Sequence, residues 1–347
     1  MNLDSKRTGE NMDKLRIGII GCGRISNMHL VSADKLEEAE LVACCDIKPE
    51  RAEAVAKKYN IKAYTDYVEM LKNEKLDAVH ICLPHNIHTD ASKAAFEYGV
   101  NVISEKPMDV TYEKAASAVQ MAKDKNLVYG IIFQCRYNNS AQLVKKAVTS
   151  GKLGKIISAS SVLTWSRSDE YYSESDWKGT WDKEGGGVII DQAIHSIDLV
   201  NWIVDSPVKS ISVSMSNKGH DIVSVEDTAD GLIVYENGTR YGFYCMNNYA
   251  TDEPIEIKMF CENGRVVFDY DDAYIYYNDG TIEEAHQGDV VDYDGGKDYW
   301  GFQHIRQIHQ FYKACLGIEP LEISGEEALK THRLVMDLYD RAGMRPF

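Results

Sequence analysis

The 347-residue sequence contains no apolar run approaching the about 18 residues that a membrane-spanning helix needs. Its first residues are polar and lack the apolar stretch of a secretory signal peptide, so residues 1–13 are expected to be an N-terminal extension. The eight cysteines form no C-x-x-C pair and no zinc-type spacing, which argues against a disulfide framework. These absences predict a cytoplasmic protein without a membrane anchor.

Positive charge is also scarce. The chain has 38 Lys and Arg residues against 54 Asp and Glu residues, a formal net charge of −16. This balance disfavours binding to nucleic-acid backbones and to anionic membranes. We therefore expect a small-molecule partner, with no nucleic acid and no membrane among the ligands.

The length favours two domains, and the pattern of apolar residues changes near residue 135. In residues 14–135, short apolar runs alternate with segments of helical periodicity, which indicates βαβ units and a parallel sheet. The apolar runs are 16–21, 40–45, 77–83, 101–104 and 127–133, and the helical segments are 24–37, 49–59, 66–73, 88–98 and 111–125.

Residues 136–347 follow a different pattern. The segment 210–216 alternates strictly, as in a strand with one buried face. Asn237-Gly238, Asn263-Gly264 and Asn278-Asp279-Gly280 are hairpin turns, so this half is expected to be a meandering antiparallel sheet. A helix over 325–342 closes the chain and is free to pack back on the first domain.

Aromatic residues are expected on both faces of this second sheet, as in Tyr274-Ile275-Tyr276-Tyr277. A sheet of this kind does not leave an apolar face bare to water. A homodimer or homotetramer formed through the sheet would cover it. The alternative is that loops or helices of the same chain do so.

The first strand leads into a glycine loop that is expected to bind a dinucleotide. Gly21 permits the tight turn and Gly23 lets the backbone approach a pyrophosphate, with Arg24 and Ile25 beside it. The phosphate charge would meet the N–H groups at the helix start, where Ser26 replaces a third glycine. The alternative is a plain tight turn.

Asp46 ends the second strand, where a carboxylate accepts both hydroxyls of the adenosine ribose. Because a carboxylate repels a 2′-phosphate, NAD is favoured over NADP. Lys48 and Arg51 lie close by in the sequence and would soften that preference. The alternative role of Asp46 is a helix cap.

Lys106 follows the fifth strand, and the ends of such strands are where ligands bind in a doubly wound sheet. Its ammonium is suited to polarise a reacting oxygen, and Glu105 is expected to pair with that ammonium or orient it. Taken alone, the pair is equally compatible with a surface charge pair.

Several segments together resemble the Gfo/Idh/MocA family of oxidoreductases, which includes glucose–fructose oxidoreductase and inositol dehydrogenase. The similarity covers nearly the whole chain from residue 14, and the combination of segments is specific although each one is not. The matching segments are Pro84-His85-Asn86-Ile87-His88, Glu105-Lys106-Pro107, Arg136-Tyr137, residues 151–156, residues 185–198 and Ser324-Gly325-Glu326.

The resemblance implies a Rossmann domain (14–135) and a substrate-binding and oligomerisation domain (136–347) with a large, mostly antiparallel sheet. It implies an active site in the cleft between them, with Lys106, Asp191 and His195 as the catalytic set. It also implies contacts to the nicotinamide half of the cofactor from Leu83, Pro84, Asn86, His88, Glu105 and Lys106.

The residues themselves agree with this assignment. Asp191 and His195 are four apart in a helical segment and share a face. Histidine is suited to take a hydroxyl proton because its ordinary pKa lies near neutral pH. The glycines 185–187 are expected to let the backbone approach a flat ring. The alternative for Asp191 and His195 is a helix-surface pair.

The substrate is expected to meet an aromatic loop over residues 165–181. Trp165 and Tyr172 suit the face of a sugar ring, and Arg167 or Lys178 suits an anionic handle. The Trp177-Lys178-Gly179-Thr180-Trp181 stretch resembles family members that act on hexoses or sugar nucleotides, including 3-dehydrogenases of nucleotide-linked uronates. The alternative is that these aromatics pack the domain junction.

No metal site is predicted: His80, His85 and His88 lack a completing carboxylate or cysteine, and hydride transfer needs no metal when Lys106 is available. The expected function is a sugar or polyol dehydrogenase or ketoreductase. One alternative is a glycosidase or epimerase that oxidises its substrate transiently with tightly held NAD. Another is a non-catalytic NAD-binding regulator, against which the retained Lys106, Asp191 and His195 count.

Overall fold

The computed structural model describes residues 14–288, 291–293 and 302–344. The predicted N-terminal extension, residues 1–13, lies outside the described residues. Within the described part of the chain, no helix combines the length and apolarity that crossing a membrane requires.

The first half of the chain forms a parallel sheet with a helix after each of its first five strands. The strands are β1 (Leu15–Ile20), β2 (Ala39–Cys45), β3 (Lys62–Tyr64), β4 (Ala78–Ile81), β5 (Asn101–Ser104) and β6 (Tyr129–Ile131). The helices are α1 (Ser26–Lys35), α2 (Pro49–Tyr59), α3 (Tyr67–Asn73), α4 (His88–Glu97) and α5 (Tyr112–Asp124). The predicted Rossmann sheet is confirmed.

The strand order of this sheet is β3-β2-β1-β4-β5-β6, and every neighbouring pair is parallel. The order reverses between β1 and β4, so the loops that follow these two strands face a common crevice. The edge strand β3 was not predicted, because its three residues Lys62, Ala63 and Tyr64 are exposed or half-buried and form no apolar run.

The second sheet has eight strands in the order β14-β13-β12-β11-β7-β10-β9-β8. The strands are β7 (Ile156–Thr164), β8 (Val208–Ser216), β9 (Thr228–Tyr235), β10 (Arg240–Met246), β11 (Glu256–Cys261), β12 (Gly264–Asp269), β13 (Asp272–Tyr277) and β14 (Ile282–Ala285). All three predicted hairpins are present: β9 with β10, β11 with β12, and β13 with β14. The expected large, mostly antiparallel sheet is confirmed.

The simple meander expected for this sheet is wrong at its centre. Strand β7 inserts between β10 and β11 and pairs in parallel with β10, with Ser158 opposite Arg240. A turn residue specifies only the two strands that it joins. The partner of β7 lies about 80 residues away along the chain, so local sequence does not specify this pairing.

The remaining helices are distributed over both sheets. They are α6 (Asn139–Thr149), α7 (Asp169–Ser173), α8 (Ile194–Val204), α9 (His304–Cys315) and α10 (Gly325–Ala342). Short turns of 3₁₀-helix cover His85–Ile87 and Gln134–Tyr137, and a π-helical turn, Ile189–Ala193, leads directly into α8.

The C-terminal part of the chain returns to the first sheet. Helix α9 packs on α1, and its Phe311 and Tyr312 join the apolar core around Ile17 and Ile19 of β1. Helix α10 contacts α5 and β6 as well as β8 and α8. The domain boundary that we propose between residues 135 and 136 falls within the 3₁₀ turn after β6.

One face of the second sheet carries helices and the other is open. Helices α6 and α8 contact the inner face. On the outer face, Phe260 is 57% exposed, Ile157 is 44% exposed, and Val162 and Tyr244 are each 37% exposed. The described chain therefore leaves these four apolar side chains on this face open to water.

Candidate active site

The loop after β1 is built around two glycines with different constraints. Gly21 has φ +96°, and a Cβ there would lie 2.2 Å from the carbonyl oxygen of Cys82 after β4. A Cβ on Gly23 would meet no atom within 4 Å. Gly21 is therefore required by the fold itself, whereas Gly23 opens onto unfilled space at the start of α1.

Asp46 lies behind this loop and is buried. Its carboxylate oxygens accept hydrogen bonds from the backbone N–H groups of Cys22, at 2.8 Å, and Lys48, at 2.9 Å. A carboxylate oxygen has two lone pairs, so each oxygen retains capacity for a ligand hydroxyl. The geometry joins Asp46 to the glycine loop, and its role towards the ribose stays a prediction.

A cavity of about 440 Å³ adjoins the loop and extends between α1 and α2. It is lined by Cys22, Gly23 and Arg24 on one side and by Arg51 and Lys58 on the other. Three basic side chains beside the start of a helix favour a phosphate-bearing ligand. These residues therefore fit the pyrophosphate and ribose of a dinucleotide.

The loop after β4 is fixed by His88. This side chain is fully buried, and its two ring nitrogens lie 2.7 Å from the carbonyl oxygens of Leu83 and Pro107. It thus ties the predicted nicotinamide-binding segment, Leu83 to Asn86, to the turn that carries Lys106. With both nitrogens engaged by backbone, the His88 ring supports the site and presents no ring nitrogen to a ligand.

Glu105 turns away from the ammonium of Lys106. Its carboxylate oxygen lies 3.0 Å from His29 Nε2 and 3.4 Å from His304 Nε2. Burial by itself would raise the pKa of Glu105, but the hydrogen bonds of His29 and His304 hold that pKa well below its usual range. The expected pairing of Glu105 with the Lys106 ammonium is therefore wrong; the carboxylate reaches only the backbone N–H of Lys106, at 3.3 Å.

The same three side chains bring ligand-type atoms within 4.8 Å of one another. The imidazole–carboxylate hydrogen bonds account for this closeness, so a site without metal remains our prediction. The chain of buried polar contacts continues from His29 to His80, at 3.0 Å, and from His80 to the hydroxyl of Tyr312, at 3.0 Å. Histidine side chains from α1 and β4 are thereby tied to α9.

Lys106 meets Asp191 across the crevice. Its Nζ donates to the Asp191 carbonyl oxygen at 2.8 Å and lies 3.4 Å from Oδ1 of the same residue. Asp191 stands in the π-helical turn before α8, and such turns occur frequently at functional sites. Lys106 and Asp191, which are both predicted as catalytic and lie 85 positions apart in the sequence, are thus in direct contact.

The other carboxylate oxygen of Asp191 accepts three side-chain hydrogen bonds. The donors are Lys178 Nζ at 2.7 Å, Gln192 Nε2 at 2.7 Å and the Tyr171 hydroxyl at 3.1 Å. Burial alone would raise the pKa of Asp191, but Lys178 and then Lys106 hold it well below its usual range. Asp191 is therefore a carboxylate at every pH at which the protein is expected to work.

His85, in the segment that follows β4, also lies beside Asp191. Its Nε2 lies 3.9 Å from Asp191 Oδ1, and its Nδ1 lies 2.8 Å from the carbonyl oxygen of Glu184. Burial lowers the pKa of His85 well below its usual range, so this imidazole is neutral. From the sequence, Tyr171 was expected only as part of the aromatic loop and His85 was considered only as a metal ligand, so their contacts with Asp191 were not predicted.

His195 begins the next turn after Asp191, in α8. Its side chain is buried, and its ring centroid lies 6.3 Å from that of Phe133, near the end of β6. With the Asp191 side chain only 11% exposed as well, both residues belong to the protein interior. A helix-surface pair, the alternative considered from the sequence, does not fit this burial.

The glycine run before the π turn has a different use from the one predicted. A Cβ on Gly186 would lie 2.0 Å from the Tyr339 hydroxyl oxygen, and one on Gly187 would lie 1.9 Å from the Glu226 carbonyl oxygen. The space beside these glycines is thus filled by α10 and by the start of β9. The run permits close packing of protein against protein, so the expected approach to a flat ring is wrong for these two positions.

The structure gives each of the further predicted substrate-binding residues, Trp165, Arg167 and Tyr172, its own set of contacts. Trp165 is buried, and its indole N–H donates to the Glu253 carbonyl oxygen at 3.1 Å. Arg167 lies over the rings of Trp165 and Tyr171 and pairs with Asp252 at 3.0 Å. The hydroxyl of Tyr172 accepts a hydrogen bond from the Asn247 amide at 2.8 Å.

The first part of the chain is a parallel Rossmann sheet with an open glycine loop. In the second part, the π-helical turn before α8 places Asp191 against Lys106 at the end of β5. This combination defines a two-domain dinucleotide-binding oxidoreductase. The chain belongs to the Gfo/Idh/MocA family. The family's NAD-binding Rossmann fold matches residues 15–133, and the GFO/IDH/MocA C-terminal domain matches residues 141–267.

Named relatives act on sugars and polyols. The chain is 28% identical to the D-glucoside 3-dehydrogenase of Escherichia coli (strain K12), covering 94% of this chain and 95% of the relative. It is 24% identical to the myo-inositol 2-dehydrogenase of Thermotoga maritima, covering 90% and 92%. A similar solved structure is the WlbA dehydrogenase of Bordetella pertussis with NADH and UDP-GlcNAcA, with a TM-score of 0.82, 26% identity and coverage of 95% and 97%.

Proposed function

We propose that this protein is a sugar dehydrogenase or ketoreductase that transfers hydride between NAD and a secondary alcohol carbon of a sugar, polyol or sugar derivative. The observation that carries the proposal is the contact of Lys106 with Asp191 at the carboxyl end of β5. An ammonium held there by a permanently ionised carboxylate is suited to stabilise an alkoxide. The family membership and the named relatives support the same reaction class.

In the oxidation direction, three side chains divide the work. NAD, when bound, supplies the acceptor for the hydride that leaves the alcohol carbon. Lys106 donates an N–H group to the substrate oxygen, and His195 accepts the hydroxyl proton as the carbonyl forms. General-base help of this kind contributes about 10²–10⁴-fold in rate. Asp191 holds the ammonium in place and does not itself exchange a proton.

The chain's own residues are also proposed to select and hold the cofactor. Asp46 would accept the ribose hydroxyls and repel a 2′-phosphate, so NAD is preferred to NADP. The loop Gly21 to Ile25 would hold the pyrophosphate. The proposed contacts to the nicotinamide half are Leu83, Pro84, Asn86, Glu105 and Lys106, with His88 behind them.

The substrate is proposed to enter beside α7, where Arg167 and Tyr172 pack on Tyr171, whose hydroxyl donates to Asp191. Trp165 lies under the Arg167 guanidinium. The relative that acts on D-glucosides and the neighbour bound to UDP-GlcNAcA support a hexose that carries a further group. We therefore propose glucosides and sugar nucleotides as the first substrates to test, followed by inositols, free hexoses and uronates.

The test follows NADH formation at 340 nm with this panel, for wild type and for Lys106→Ala and His195→Ala. We expect each variant to lose about 10²–10⁴-fold in kcat. Lys183→Ala is the matched control, because the Lys183 side chain is exposed and its ammonium donates to the Asp176 carbonyl oxygen, away from Asp191. Undiminished turnover in both active-site variants would remove the site assignment, and a preference for NADP would remove the assignment of Asp46.

We further propose that the protein assembles as a homodimer or homotetramer through the outer face of its second sheet. The exposed apolar side chains of Ile157, Val162, Tyr244 and Phe260 support this, because an interface on this face would remove them from water. A cytoplasmic location is also proposed. All eight cysteine thiols are free, as a reducing compartment would keep them.

A further inference from the structure

The sequence predicts Lys178 as a partner for an anionic group of the substrate, whereas the structure places its ammonium against Asp191. Lys178 belongs to the loop between α7 and the π-helical turn, and its side chain is 16% exposed. Its Nζ lies 2.7 Å from Asp191 Oδ2 and 3.6 Å from Glu184 Oε1. The ammonium also lies over the rings of Tyr171 and Trp177, 4.9 Å and 4.7 Å from their centroids.

Two ammonium groups thus share one carboxylate from opposite sides. Lys178 contacts Oδ2 of Asp191, whereas Lys106 contacts Oδ1 and the backbone carbonyl. A lysine ammonium has three N–H donors. Two of those of Lys106 point at Asp191, which leaves the third for a substrate oxygen.

Lys178 is not needed to close its own loop. The Glu184 carboxylate accepts the backbone N–H of Gly179, and the Trp181 indole donates to the Ser224 carbonyl oxygen at 2.8 Å. The Ser224 N–H also donates to the Gly179 carbonyl oxygen at 2.9 Å. These contacts anchor the loop without the ammonium, so a structural role alone does not explain a buried cation aimed at Asp191.

We propose that Lys178 is a positioning residue of the hydride-transfer reaction, which holds the Asp191 carboxylate so that Lys106 keeps one N–H group directed at the substrate oxygen. This inference rests on the proposed function. Without Lys178, Oδ2 of Asp191 keeps, among the described residues, only the uncharged donors Gln192 and Tyr171, so the carboxylate is held less firmly and is drawn towards a second N–H of Lys106. The ammonium would then be drawn away from the reacting oxygen.

The charged and titratable groups around Asp191 determine the sign of the pH effect. They are Lys106 from the end of β5, Lys178 and Glu184 from the loop, Tyr171 from α7 and His85 from the β4 side. Apart from burial, which acts in the opposite direction, Lys178 is the largest influence on the pKa of Asp191, and it lowers that pKa. Removing this ammonium therefore raises the pH at which Asp191 takes up a proton.

The test compares Lys178→Met, Lys178→Arg and the control Lys183→Met, an exposed lysine of the same loop. We expect Lys178→Met to lose about 10²-fold in kcat, with a smaller change in KM, because a displaced catalytic group costs about this much. The acid limb of its kcat/KM profile should move upward by about one to three pH units. Lys178→Arg keeps the charge and should recover most of both effects.

A structural role would instead lower the thermal midpoint and the fraction of NADH-binding sites, leaving kcat per site and the pH profile unchanged. That result, or an arginine variant no better than methionine, would overturn the proposal. Selective ¹³C labelling of aspartate carboxyls, with Asp191→Asn to assign the signal, gives a readout that needs no turnover. A wild type inactive on every substrate refutes the proposed function, and an Asp191 titration unaltered in Lys178→Met separately refutes the positioning role.

Discussion

At the scale of single residues, the site assigns different tasks to groups that could all exchange protons. Asp191 accepts hydrogen bonds from both lysines, from Tyr171 and from Gln192, so it stays ionised. Burial, followed by the charge of Asp191, raises the pKa of Tyr171, which therefore remains a phenol. Neither group is suited to take a substrate proton, which favours His195 for that role.

Glu105 gives a prediction about stability. Its folded pKa is held well below its usual value by His29 and His304 against the effect of burial, so its ionised form stabilises the fold. We expect Glu105→Gln to cost about 2 kcal/mol at neutral pH, the scale of hydrogen bonds to a charged group. Urea unfolding, measured from neutral pH to well below the ordinary carboxyl pKa of about 4.5, gives this difference.

The sign of the pH dependence follows from the depressed pKa. Stabilisation by Glu105 is fully present above its ordinary pKa of about 4.5 and is lost as the pH falls towards the lower folded value. The gap between wild type and Glu105→Gln should therefore narrow in acid. Glu113→Gln, an exposed carboxylate on α5, is the control and should change little. A gap that stays constant with pH would contradict this account.

At the scale of elements, the two glycines in the loop between β1 and α1 have different roles, one in folding and the other in the proposed binding of the cofactor. Gly21 is fixed by a positive φ and by the Cys82 carbonyl oxygen, a contact between the loop and the segment after β4. Gly23 faces open space in the protein alone. One glycine is therefore required to build the loop and the other to leave room beside it.

This difference predicts opposite outcomes for two alanine variants. Gly21→Ala should lower the thermal midpoint, because its Cβ would overlap backbone. Gly23→Ala should unfold like wild type but bind NADH about 10–100-fold more weakly, since its Cβ would occupy the proposed pyrophosphate position. Thermal unfolding and NADH fluorescence titration measure the two effects. Unchanged NADH affinity in Gly23→Ala would place the pyrophosphate elsewhere.

At the scale of the whole molecule, the two sheets are joined by more than the chain between them. Arg136, in the turn after β6, pairs with Asp198 of α8 at 2.6 Å and with Glu327 of α10 at 3.0 Å. Helix α9 adds its apolar face to the core of the first sheet. The C-terminal helices therefore hold the surfaces that bring Asp191 to Lys106.

The exposed apolar side chains on the outer face of the second sheet predict that a charge introduced there will prevent assembly. Phe260→Asp should convert the proposed dimer or tetramer to single chains, because an interface would have to bury an unpaired carboxylate in place of an apolar ring. Light scattering after size-exclusion chromatography gives the mass. Ile318→Asp, at an exposed position outside the sheet, is the control. A wild type that elutes as a single chain would contradict the proposed assembly.

The sequence by itself predicted the structural features that depend only on residues close together in the chain. The alternation of apolar runs and helical segments predicted five of the six strands of the first sheet. Asn-Gly turns predicted the hairpins, because such turns impose antiparallel neighbours whatever surrounds them. The turn at Gly21 between β1 and α1 was predictable for the same reason, since its positive φ selects glycine.

Only the tertiary structure decided what depends on partners far along the chain. It placed β7 between β10 and β11, packed α9 on α1, turned Glu105 towards His29 and His304, and brought Lys178 onto Asp191. A sequence pattern specifies which face of an element is apolar, but not which distant face it meets. Side-chain pairing across those contacts is fixed by packing and by compensation of buried charge, which exist only once the chain has folded.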